Sequence, residues 1–81
     1  MIQKIIEKFE EAEFLKADGF DDAIIGVDED SGRLIYSVSK CLTILQEDMN
    51  EEDATEYFYF NVSGSYVGEK TPIWCDDNFP L

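Results

Sequence analysis

Eighty-one residues carry nineteen carboxylates against six basic side chains, a formal net charge of −13, with no histidine and two cysteines. Such a polyanion repels phosphate backbones and anionic lipid, so direct nucleic-acid or membrane binding is excluded as the expected role. With 44% hydrophobic and 14% aromatic residues, the chain can still fill one small core and is expected to fold as a single domain over residues 1–81, with residues 76–81 as a tail.

Without imidazole the commonest general base and a favoured metal ligand are missing. Cys41 and Cys75 form neither a C-x-x-C pair nor a disulfide framework. Each sits among apolar neighbours, where a free cysteine behaves as a small hydrophobe, and reduced thiols imply a cytosolic setting. The N-terminal run "MIQKIIEKFEEAEF" has no apolar stretch of signal-peptide length, and no segment approaches the length of a membrane span. The expected location is cytoplasmic.

Taken along the chain, Ile2, Ile5, Ile6, Phe9 and Ala12 recur at helical spacing with Glu7, Lys8, Glu10 and Glu11 between them, which predicts an amphipathic first helix. Asp18-Gly19 is a stop signal. Asp18, Asp21 and Asp22 could hold a divalent ion weakly, but a helix stop followed by an acidic loop accounts for them more simply.

Next come two β-branched runs, "AIIGVD" at 23–28 and "RLIYSV" at 33–38. The four residues Glu29-Asp30-Ser31-Gly32 between them suit a hairpin loop built on a type I turn. On the second strand Leu34, Tyr36 and Val38 share one face, Arg33, Ile35 and Ser37 the other. Asp28-x-Asp30-x-Gly32 has the opening of a calcium loop. Its glycine comes at position five rather than six, and position twelve is Ser39 instead of glutamate. A solvated hairpin turn is the better reading.

Ser37 or Ser39 can cap a second helix, with Val38, Leu42, Leu45 and Met49 on one face and Cys41 alongside. Asn50 then caps a third helix whose first turn, Glu51-Glu52-Asp53, places acids where the helix dipole favours them. Ala54, Phe58 and Val62 form its stripe. Asn61 is expected as a partly buried amide hydrogen-bonded to a neighbouring loop or strand end, and its Asn-Val-Ser context matters as a glycosylation acceptor only in a secreted chain. After Thr71-Pro72, Ile73-Trp74-Cys75 reads as a short edge strand. The order helix, hairpin, helix, helix, strand predicts an α+β domain with a three-stranded, mainly antiparallel sheet packed by helices.

The stretch "GSYVGEKTPIW" contains the ingredients of a phosphate-binding loop in the wrong order. Such a loop follows a strand and opens a helix, so that backbone amides converge on the anion. Here a helix precedes and a strand follows, Gly64 and Gly68 are too close together, and Glu69 would oppose a phosphate. Gly64 as a helix end, Gly68 as a turn and Lys70 as a guard on the sheet edge explain the same residues.

No nucleophile stands beside a base. A thiolate among so many carboxylates is disfavoured, and nineteen acids single out no catalytic pair. The expected protein is therefore not an enzyme and needs no cofactor or metal. The aromatic run Tyr57-Phe58-Tyr59-Phe60, with Tyr66 and Trp74, stands out instead, because four consecutive rings on a helix point all the way round and cannot all face one core. Tyrosine and tryptophan are enriched where proteins touch. Tyr57, Tyr59, Phe60, Tyr66 and Trp74 are thus the candidate partner-binding residues, for another protein or for a second copy of the chain. The alternative is an acidic imitation of nucleic acid built from Glu47, Asp48, Glu51, Glu52, Asp53 and Glu56, which would occupy a DNA-binding or defence protein.

The runs "DDAIIGVD", "RLIYSVSKCLTIL" and "EDATEYFYFNVSGSYVGEKTPIW" together resemble small acidic proteins encoded by bacteriophages, including phages of marine and cyanobacterial hosts. The resemblance covers most of residues 20–75 and lies in a whole pattern rather than a catalytic signature. It implies a viral accessory protein made in the host's bacterial cytoplasm, and it assigns no activity and no role to any residue.

Overall fold

Local signals in the chain account for most element boundaries of the computed structural model, which describes residues 2–8, 14–64, 68–77 and 79. Helix α1 (Ile2–Lys8) is followed by a 3-10 turn (Asp21–Ala23), strands β1 (Ile24–Asp28) and β2 (Arg33–Ser37), helices α2 (Val38–Leu45) and α3 (Glu51–Tyr57), a π-helical turn (Phe58–Val62) and strand β3 (Ile73–Cys75). This is the expected α+β domain in the expected order. The part of the first helix predicted around Phe9 and Ala12 lies outside the described residues.

The hairpin turns where glycine permits it. Gly32 takes φ +69°, a left-handed conformation that costs other residues roughly 1 kcal/mol, and its N–H donates to Asp28 O at 2.7 Å. The Asp28 carboxylate accepts from Asp30 N at 3.2 Å and from Ser31 Oγ at 2.8 Å, so it braces the loop from within.

The sheet has the order β1-β2-β3 and is mixed. β1 and β2 pair antiparallel with a register shift between Ile24 and Gly26. Only this first pairing meets the expectation of antiparallel strands: β3 runs parallel to β2, with Ile35 opposite Ile73 and Ser37 opposite Cys75. The reason is the length of the connection. A parallel pair needs a crossover of a dozen or more residues, and both α2 and α3 lie between the two strands.

Tyr36, Leu34, Ile24, Ala23, Val38, Cys41, Ala54 and Phe58 form the buried centre, joined by Ile5 of α1 and by Phe20. Leu34 and Tyr36 point inward together while Arg33 and Ile35 are half-buried, as alternation on a strand requires. Tyr36 also makes a polar contact from inside the core, its Oη accepting from Ala17 N at 2.8 Å. That bond ties the chain at Ala17, just before the 3-10 turn, onto the sheet.

Both expected caps form. Asn50 Oδ1 accepts from Asp53 N at 2.8 Å and opens α3. Ser37 Oγ accepts from Lys40 N at 3.1 Å and opens α2. Ser37 is fully buried despite belonging to the half-open strand face, because its hydroxyl also donates to Asp77 Oδ2 at 2.5 Å. Asp77 Oδ1 accepts from Ser39 N at 3.0 Å. A residue expected in a tail thus completes the N-terminus of a helix.

Candidate functional site

The aromatic run is divided by the geometry of its helix. Ala54 and Phe58, four residues apart, are both buried and anchor α3 to the core. Beyond Tyr57 the helix widens, and Ser63 N bonds to Phe58 O five residues back at 2.9 Å, a form of helix that recurs at functional sites. Phe58 packs edge-on against Trp74, with ring centroids 5.5 Å apart. Its neighbours are left outside: Tyr57 is 44% exposed, Tyr59 50% and Phe60 77%.

Among the expected contact residues, then, Tyr57, Tyr59 and Phe60 share one solvent-facing element. Trp74 does not join them. It is half-buried, its ring 5.0 Å from that of Tyr36 and wedged against Phe58, and its Nε1 is buried without a hydrogen-bond partner. An unpaired donor costs about 1–3 kcal/mol, which the packing of the three rings must offset. Trp74 therefore serves the core first and meets Tyr57 only across a cleft of about 280 Å³ that Phe20, Val62 and Pro72 also line. Tyr66 lies outside the described residues. Asn61 corrects the expectation of a partly buried amide: it is exposed, beside Tyr57 and Phe60.

The six candidate acids Glu47, Asp48, Glu51, Glu52, Asp53 and Glu56 are all exposed, in α3 and in the turn before it. Two shallow hollows on this surface mix acids with rings. Glu51, Glu52, Glu56 and Tyr59 meet at one, Asp53, Glu56, Tyr57 and Phe60 at the other.

Elsewhere, polar groups are engaged in holding the fold. Asp21 pairs with Lys16 at 3.2 Å. The Lys70 amine donates to Ser31 O at 2.7 Å. Arg33 Nε donates to Thr71 O, and Thr71 Oγ1 donates to Gly68 O at 2.6 Å. These bonds stitch the hairpin loop to the segment leading into β3.

The thiols differ in setting. Cys41 is fully buried, and burial, aided by the nearby Asp77 carboxylate, pushes its pKa up to about 12. The Asp77 carboxyl itself is held below the usual carboxylate range, first by the Ser37 hydroxyl and then by the Ser39 N–H. Among the described residues no helix is long and apolar enough to cross a membrane.

No protein-family model, curated protein or solved structure matches the chain.

Proposed function

We propose that this chain is a non-enzymatic accessory protein, of the phage-encoded type its sequence resembles, that works in the cytoplasm by binding another protein, host or phage. The binding face is the outer side of α3 and its π-helical turn. One observation carries this reading: Tyr59 and Phe60 are held in solvent by a helix whose opposite side, Ala54 and Phe58, is locked into the core. Exposed rings on a rigid element lose little entropy when they are covered, which is why such residues concentrate binding energy.

The test is affinity capture from infected host lysate, at low and high salt, with the intact chain and with a Tyr59→Ala/Phe60→Ala variant. A captured protein that the variant no longer retains supports the reading. An unchanged capture profile ends it.

The row Glu47, Asp48, Glu51, Glu52, Asp53 and Glu56 supports a second reading, an acidic imitation of nucleic acid. Binding of that kind rests on charge and must fall steeply with salt. It would be indifferent to removal of the two rings.

A further inference from the structure

The two hollows on α3 share Glu56, and each sets carboxylates against at least one exposed ring. We propose that they receive two basic side chains of a partner polypeptide, one on either side of Glu56, with an apolar residue of the same segment meeting Phe60. This rests on reading α3 as a protein-binding face and names the chemistry of what binds there.

Arginine and lysine fit such a hollow by their own construction. The aliphatic stem lies along a ring, the cationic head is drawn to the ring face and to the carboxylates, and the arginine fork can take a carboxylate through two hydrogen bonds. Carboxylates alone would accept any cation, and rings alone any apolar group. Glu51, Glu52 and Glu56 beside Tyr59, with Asp53 and Glu56 beside Tyr57 and Phe60, require both properties in one segment.

A second copy of the chain does not meet that requirement. Face-to-face pairing through α3 would oppose Glu51, Glu52, Asp53 and Glu56 with their own counterparts, in a molecule of net charge −13. Three of its six basic side chains are already held, Lys16 by Asp21, Lys70 by Ser31 O and Arg33 by Thr71 O. We therefore assign the complementary charge to another protein rather than to a facing copy of α3.

A peptide array tests this on the full-length chain. Its members carry two arginines at varied spacing around a leucine, with controls that replace arginine by glutamate or leucine by serine. The affinity of any binder is then measured by anisotropy against the intact chain, Phe60→Ala and Glu52→Gln/Glu56→Gln. All three altered positions are exposed, and circular dichroism verifies that each variant folds.

The expected result is binding of arginine–leucine peptides, weakened about tenfold by either variant, and no binding of the glutamate controls. Binding that survives Phe60→Ala, or that the serine controls match, means charge alone is read and overturns the proposal. Glutamate peptides that bind in a Phe60-dependent way would overturn the basic partner while leaving α3 a protein-binding face. So would a dimer seen by sedimentation and lost in Phe60→Ala. If no peptide binds, the basic partner is again overturned, and the lysate capture described above decides separately whether the face binds any protein.

Discussion

Ser37 and Asp77 are joined across forty positions of sequence by a 2.5 Å hydrogen bond from the Ser37 hydroxyl to the Asp77 carboxylate. The same carboxylate accepts from Ser39 N, so the chain beyond β3 caps the helix that begins where β2 ends. These bonds favour the charged carboxylate and lower its pKa in the folded state.

A depressed carboxylate contributes stability above its unfolded pKa and loses it as pH falls through its folded pKa. Asp77→Ala is accordingly expected to lower the melting temperature near neutral pH. The gap between variant and parent should close as pH falls from about 5 through the ordinary carboxylate range and below it. Comparing the two proteins removes the background effect of protonating the other carboxylates. A gap that stays constant across that range would show that the carboxylate's charge is irrelevant to the clamp.

Tyr36→Phe keeps the ring tilted against Trp74 and deletes only the hydroxyl that accepts from Ala17 N. The expected loss is about 1–2 kcal/mol in urea unfolding, the worth of one hydrogen bond plus a stranded donor. The phenol of Tyr36 is raised above its ordinary pKa by burial, although the Ala17 N–H pulls the other way. Its contribution therefore persists below the unfolded value and is lost as pH rises through the folded one. The gap in stability between the parent and Tyr36→Phe should therefore narrow as pH rises above about 10.

The two thiols should react at different rates. Cys41 is fully buried with its pKa near 12, whereas Cys75 is half-buried. A disulfide reagent at mildly alkaline pH is expected to label Cys75 in the native protein and Cys41 only through opening of the fold. Equal native rates, followed by mass spectrometry, would contradict the burial of Cys41.

Phe58 and Phe60 make the sharpest contrast, two positions apart on one helix. Phe58→Ala empties a fully buried site against Trp74 and should cost about 3–5 kcal/mol. That is a large part of the roughly 4–12 kcal/mol such a domain possesses. Phe60→Ala, at 77% exposure, should stay within about 0.5 kcal/mol. Parallel denaturation curves check both, and a neutral Phe60→Ala leaves folding unable to explain that ring.

Several parts of the structure were legible in the chain because their causes lie within a few residues. Asn50 and Ser37 cap helices through N–H groups three positions away. Gly32 closes the hairpin on Asp28, and the inward alternation of Leu34 and Tyr36 needs only the pleat of a strand. The surplus of rings in Tyr57–Phe60 was legible for the same reason, since a helix turns about 100° per residue and one stripe cannot hold four neighbours.

Other features depend on groups far apart in sequence, which periodicity does not see. That Trp74 would wedge between Tyr36 and Phe58, that Lys70 would reach Ser31, and that Asn61 would stand in solvent came from how the elements meet. The parallel placement of β3 belongs with them, being a consequence of where the α2–α3 crossover delivers the chain. Local chemistry by itself determined the caps, the hairpin, the order of elements and the acidic, ring-rich character of α3. Tertiary packing alone decided which rings are spent on the core and which face water, because each element's buried side is chosen by the surface it lands on.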